Sequence, residues 1–155
     1  SRTVLQLASP GVPDIYQGDE LWNFALVDPD NRRAVRFPPE DSGDKDALTA
    51  AALRLRRRRP EVFGDAATYV PLAAEGPAAA HCAAFARSGE VVTAVTRLSL
   101  RLAEAGGWRE TVLPLPPGVW SDVLTPEREF SGRVRLAELF GESPVALLER
   151  RAGVG

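Results

Sequence analysis

The sequence contains no methionine, and its 155 residues include one cysteine, Cys82, one histidine, His81, and one lysine, Lys45. A single cysteine excludes an internal disulfide, so a reducing cytoplasm is the expected setting. Lying in an apolar segment, Cys82 reads as a small buried hydrophobe. His81 has no Ser, Asp or second metal ligand in pattern with it, which removes a Ser-His-Asp triad and a zinc site from consideration. No apolar run approaches the length of a membrane span and no signal peptide is visible, so no membrane partner is expected. The net charge of −2 gives no support for nucleic acid as a partner. The run Arg56–Arg59, interleaved upstream with Leu and Ala, reads as the solvated end of a helix. Without a methionine the chain is not expected to begin at a natural start.

What is present is an ordinary globular composition, 45% hydrophobic and 26% charged, long enough to bury a core as one domain or two small ones. Near the N-terminus the apolar run Val4-Leu5-Gln6-Leu7-Ala8 crosses a Ser9-Pro10-Gly11 break and re-enters as Val12 to Tyr16. Residues 1–10 read as the tail of a helix or loop, and Val12–Tyr16 as a short buried strand. Gly18 then opens a long connection, Asp19 to Pro39, with little periodicity. Its aromatics Trp22, Phe24 and Phe37 argue against disorder and for a loop packed over a site.

From Lys45 to Arg59 the pattern is helical. Leu48, Ala51, Ala52 and Leu55 form one apolar stripe, Ser42 or Asp44 is placed to cap the start, and Pro60 ends the helix. After Thr68 short apolar segments recur between turn formers: Tyr69–Leu72, His81–Arg87, Glu90–Thr96, Arg97–Leu102, Glu110–Leu115, Val119–Leu124, Arg133–Leu136 and Val145–Leu148. Alternation is clean in Arg97–Leu102 and Arg133–Leu136, which predicts a half-buried antiparallel sheet built as a sandwich or open barrel. The boundary between the two regions falls near residues 60–66.

Several polar groups are candidates for chemistry. Asp19 and Glu20 are adjacent on an extended chain and point to opposite faces, whereas a glycosidase needs two carboxyl groups flanking one bond. Their expected role is to hold loop backbone and arginines. Asp28-Pro29-Asp30-Asn31 resembles a calcium loop, but Arg33 stands where the turn glycine belongs and Pro39 where the bidentate glutamate belongs. No metal or other cofactor is therefore expected. The run reads instead as an aspartate-proline turn presenting Asn31, Arg32 and Arg33. Trp22, Phe24 and Tyr16 suit either stacking on sugar rings or packing; packing is favoured for Phe24 and Tyr16, and Trp22 stays open. For Trp108 and Trp120 core or edge packing is expected.

The stretch Gly11-Val12-Pro13-Asp14-Ile15-Tyr16-Gln17-Gly18-Asp19-Glu20 resembles the eighth-strand region of the α-amylase-like glycoside hydrolase family. The continuation Leu26-Val27-Asp28-Pro29-Asp30-Asn31-Arg32-Arg33 is similar to one branch of it, the maltooligosyl trehalose synthases. Leu53–Phe63, with its Arg-Pro step, fits the helix that follows in that family. The resemblance implies an α+β, mainly β chain. Residues 1–63 would be the last strand, loop and helix of a (β/α)₈ barrel, and residues 64–155 an antiparallel C-terminal β-sandwich. A whole barrel takes about 250 residues, so the resemblance implies a C-terminal portion whose N-terminal remainder carries the catalytic carboxylates. It implies no catalytic residue here, a maltooligosaccharide substrate, and Asp28, Asn31, Arg32 and Trp22 lining the acceptor side. The implied reaction converts the reducing-end α-1,4 linkage to α,α-1,1 by intramolecular transglucosylation with retention. Two other readings stand beside it: a hydrolase or transglycosylase of another specificity in that family, or a β-sandwich that binds polysaccharide or buttresses the barrel.

Overall fold

The computed structural model describes residues 1–16, 18, 21, 22, 32, 34, 35 and 43–152. Helix α1 (Arg2–Ala8) buries Val4, Leu7 and Ala8. The next helix is α2 (Asp44–Arg58), which starts behind Gly43 with no side-chain cap, so Asp44 opens the helix rather than capping it; Ser42 lies outside the described residues. The expected stripe is the buried face: Leu48, Ala52 and Leu55 are buried and Ala51 is half-buried. Arg59 separates α2 from α3 (Pro60–Phe63), so the proline that stops one helix begins another at a position where its missing N–H costs nothing.

The strands are β1 (Tyr69–Leu72), β2 (Cys82–Arg87), β3 (Val91–Thr96), β4 (Val112–Pro114), β5 (Trp120–Asp122), β6 (Glu129–Phe130), β7 (Arg133–Arg135) and β8 (Val145–Arg150), with helices α4 (Ser99–Glu104) and α5 (Leu136–Phe140) among them. Among the described residues they form a six-stranded sheet in the order β1-β2-β3-β8-β5-β6 and a two-stranded sheet β4-β7. Every pairing is antiparallel. The β2–β3 turn is made by Ser88 and Gly89, both with positive φ, and the Glu90 N–H donates to the Arg87 carbonyl at 2.9 Å. This is the backbone hand that a tight hairpin needs.

Both faces of the large sheet are covered. On one face Ala84, Ala86, Val92, Ala94, Ala146 and Leu148 pack with Leu113, Val134, Leu139, Phe140 and the fully buried Trp120. On the other, Val91 and Leu147 pack with Leu7, Ala52, Leu55, Val62 and Phe63, while Val95 and Val145 pack with Val4 and Leu48. The helices from residues 1–63 therefore cover one side of the sheet. Trp120 donates its indole N–H to the Pro116 carbonyl at 2.9 Å, and Trp108 stacks on Phe140 with centroids 5.0 Å apart. Both tryptophans pack as expected.

Four expectations are corrected. Arg97–Leu102 is not a strand: Leu98 takes a left-handed conformation and caps α4. Leu98 and Leu102 are also four residues apart, a helical spacing that period two cannot be told from over so short a run; only Leu102 is buried, and Leu100 is 73% exposed. Val12–Tyr16 has no strand partner, and Val12 is 97% exposed. A strand from a parallel barrel finds its hydrogen bonds in neighbours on either side, and the described residues supply none. Tyr16, for which core packing was favoured, is 64% exposed for the same reason. Cys82 is half-buried rather than fully buried, and burial pushes its thiol pKa up to about 11, away from reactivity.

Candidate functional site

Side-chain donors on the helices reach the backbone carbonyls of Leu7, Gly11, Asp14 and Leu21. Arg56 on α2 donates to the carbonyls of Leu7 at 2.8 Å and Gly11 at 3.0 Å, tying the end of α1 and the break that follows it to one side chain. Gln6 donates its side-chain amide to the Asp14 carbonyl. Farther along, Gly18 is buried with φ at 81°, a left-handed conformation suited to glycine, and the Leu21 N–H donates to its carbonyl at 3.2 Å.

Trp22 follows directly and is 76% exposed. Lys45, in the first turn of α2, donates its ammonium to the Leu21 carbonyl at 2.8 Å and stands 5.6 Å from the centroid of the Trp22 ring. An ammonium at that distance from an indole is within cation–π range. The only lysine is thus a positioning group that was not singled out from the sequence; its solitude was the available signal. Arg32 is exposed. Asp28 and Asn31 lie outside the described residues, as do Asp19, Glu20, Phe24 and Phe37. Tryptophan and arginine are residue types that can stack on sugar rings and donate to hydroxyls.

The other polar clusters serve the fold. Arg59 donates to Glu61 at 2.6 Å, Glu149 at 2.8 Å and Glu90 at 3.3 Å, and Arg58 also pairs with Glu149. Arg150 stands 3.5 Å from Glu90. These carboxylates come from α3, the β2–β3 turn and β8, so the cluster clamps the end of α2 to the sheet. The arginine run read as a solvated helix end is therefore divided, with Arg57 exposed and its neighbours engaged. Asp122, 4% exposed, accepts from the Leu124 N–H at 2.9 Å and faces Arg128 at 3.4 Å. His81 lies 3.4 Å from the Arg97 carbonyl. Among the described residues no group of His, Cys, Asp and Glu could hold a metal ion, and no helix is long and apolar enough to cross a membrane. A groove of about 470 Å³ between α1 and the β1–β2 edge is lined by Leu5, Ser9, Tyr69, Cys82 and Phe85 among others. Apart from Ser9, Tyr69 and Cys82, its lining is alanine, leucine and phenylalanine.

No protein-family model matches the chain. Over 153 residues, 95% of its length, the chain is 49% identical to a Mycobacterium tuberculosis protein named as a candidate maltooligosyl trehalose synthase, of which the match covers 20%. Among solved structures, the maltooligosyltrehalose synthase from Arthrobacter ramosus superposes with a TM-score of 0.87 at 43% identity, covering 96% of this chain and 21% of that one. The chain is a relative of the maltooligosyl trehalose synthases. A glycosyltrehalose synthase designated DSM5389 matches with a TM-score of 0.68 at 29% identity, again over 96% of this chain. The chain spans about a fifth of the length of the curated maltooligosyl trehalose synthases it matches. Because coverage is nearly complete, the likeness takes in both the helices before residue 63 and the sheet after it.

Proposed function

We propose that the chain is the C-terminal part of a maltooligosyl trehalose synthase. In this reading residues 1–63 close a (β/α)₈ barrel with its last strand, loop and helix, and residues 64–155 form a β-sandwich against it. The whole enzyme, cytoplasmic and free of cofactor, converts the reducing-end α-1,4 linkage of a maltooligosaccharide to α,α-1,1. Retention calls for two carboxyl groups about 5–5.5 Å apart, one forming a glucosyl-enzyme and the other moving the proton. Those groups belong to the remainder of the polypeptide, and this chain alone is inactive. The segment bearing Trp22, Asp28, Asn31 and Arg32 lines the acceptor side, where released glucose must turn over and attack through its anomeric hydroxyl before water does.

The observation that carries this reading is the 43% identity and TM-score of 0.87 to a solved synthase, over 96% of the chain. It is tested by incubating the complete protein with maltopentaose. A non-reducing pentasaccharide is the expected product. Free glucose or maltose as the main product would assign the protein to a hydrolase of the same family. Binding of maltoheptaose by residues 64–155 would instead support a binding module.

A further inference from the structure

Lys45 is the one lysine of the chain, and it stands at the end of α2 that suits a cation least. The first turn of a helix points unbonded N–H groups outward and carries a partial positive charge, so an ammonium there works against its own helix. Its neighbours Asp44 and Asp46 are the residue type that this end favours. What Lys45 gains lies outside α2. Its Nζ donates to the Leu21 carbonyl, 24 positions upstream, at 2.8 Å. The same nitrogen stands over the Trp22 ring, 5.6 Å from the centroid. Main chain and side chain of two consecutive residues are thus referenced to one atom.

The two contacts constrain different things. The carbonyl bond fixes where the main chain passes the start of α2. The cation over the ring fixes the plane of the indole about its side-chain torsions. The support is rigid, because Leu48, Ala52 and Leu55 of α2 are packed on the sheet. Trp22 is 76% exposed, and an indole held by a cation on one face presents the other.

We propose that Lys45 is a positioning residue of the acceptor side, where its ammonium sets the Trp22 ring so that the opposite face stacks on the released glucose. The inference rests on the reading of this chain as part of a maltooligosyl trehalose synthase, and it deepens that reading. Glucose cleaved from the reducing end either attacks the glucosyl-enzyme through its anomeric hydroxyl, giving the non-reducing saccharide, or leaves. Water then takes its place, and the products are free glucose and a shortened oligosaccharide. A platform displaced by about 1 Å forfeits much of the orientation that favours the first course.

The test follows the products from maltopentaose with the complete polypeptide carrying Lys45→Met, Lys45→Arg or Trp22→Leu. Lys45→Met should raise free glucose relative to non-reducing pentasaccharide by roughly two- to fivefold, the population shift that one cation–π contact supports. Lys45→Arg should keep the parent ratio, since a guanidinium both donates to a carbonyl and stacks on an aromatic face. Trp22→Leu should shift the ratio as Lys45→Met does, and the two together should go no further. A lysine that served only the fold would lower the thermal midpoint and leave the ratio where it was. That result, or a Lys45→Met effect that persists in full without Trp22, overturns the proposal. A second readout needs no turnover. Caesium ions are repelled by an ammonium, so the Trp22 share of the fluorescence, parent minus Trp22→Leu, should be quenched more strongly by caesium in Lys45→Met, relative to neutral acrylamide. Equal quenching places the ammonium away from the ring and refutes the contact. The products of the parent separate the two readings: a non-reducing pentasaccharide with unmoved variants sinks only this inference, whereas free glucose as the parent's main product sinks the functional reading itself.

Discussion

Replacing Arg59 by methionine tests whether the ion cluster clamps the helix layer to the sheet. Arg59 joins α2 to α3 and meets Glu149 at 2.8 Å with both side chains under a quarter exposed, at 24% and 22%. Glu90 lies farther, at 3.3 Å, and is more open. Bonds from Glu61 first, then Glu149, hold the Arg59 guanidinium above its ordinary pKa. An exposed ion pair is worth about 0.2–1 kcal/mol and a shielded charge-assisted bond about 1.5–3 kcal/mol. The Glu149 contact falls between those limits. Arg58 still covers Glu149 and Arg150 still covers Glu90 after the change, and Glu61, which loses its partner, is 63% exposed and passes to water. The sum is ~1–2 kcal/mol, which for a chain of this size lowers the thermal midpoint by roughly 2–8 °C. Circular dichroism melts at low salt and at about 1 M NaCl give the discriminating comparison, since the screening length shrinks to about 3 Å there. The loss should fall by about half in high salt. An unchanged midpoint refutes the clamp; a loss indifferent to salt shows that the methylene stem, not the charge, was holding the helix.

Three further outcomes follow from the same packing. Leu55→Ala, at a site with no exposure, should cost about 2–4 kcal/mol in urea unfolding, whereas Leu53→Ala, 42% exposed on the same helix, should cost under about 1 kcal/mol; similar costs would mean that α2 packs by another face. Burial raises the Asp122 pKa above 3.8 despite the Leu124 amide and Arg128, so the stability linked to it is complete below that value and lost as pH rises through the folded pKa. Asp122→Asn should therefore melt above the parent at pH 7, with the gap closing toward about pH 4, and a lower midpoint at pH 7 would show the Arg128 pair to be the stronger influence. If the chain completes a synthase with Arg32 on its acceptor side, Arg32→Ala in the full polypeptide should move products from the non-reducing saccharide toward free glucose, and unchanged ratios by chromatography would refute that placement.

Local signals carried far in some places and failed in others for identifiable reasons. The α2 stripe was legible because Leu48, Ala52 and Leu55 repeat at helical spacing between a breaker and Pro60. The β2–β3 hairpin was legible because Ser88 and Gly89 sit between two β-rich runs. Yet the central strand Val91–Val95 is an unbroken buried run, and Val145–Leu148 is another. Such runs signal burial on both faces, and they could have announced the helical layer that the alternating segments hid. The partners of Arg58 and Arg59 were not legible at all: Glu149 lies 91 residues from Arg58 in sequence, and no local pattern spans that distance. At the candidate site, Trp22 stood open between stacking and packing, and neither its exposure nor the lysine beside it was legible. Lys45 matters through where α2 begins relative to Leu21, and that is set by the fold.

The apolar packing bears on how the two regions relate. A division near residues 60–66 separates helices from strands along the chain, but the core does not respect it: Leu7, Ala52, Leu55, Val62 and Phe63 share one cluster with Val91 and Leu147. Removing either side would expose the other's buried face, so the sheet is the floor on which α1 and α2 are laid. The same helices hold the segment that carries Trp22, through Arg56 at Gly11 and Lys45 at Leu21. The aromatic side chain is thus referenced to the sheet by two cations on one rigid helix, one near each end. If the chain completes a synthase, the β-region need not touch sugar to matter for the acceptor side. It would act by fixing α2, and changes at Val91 or Leu147 would then alter product ratio only as far as they shift that helix.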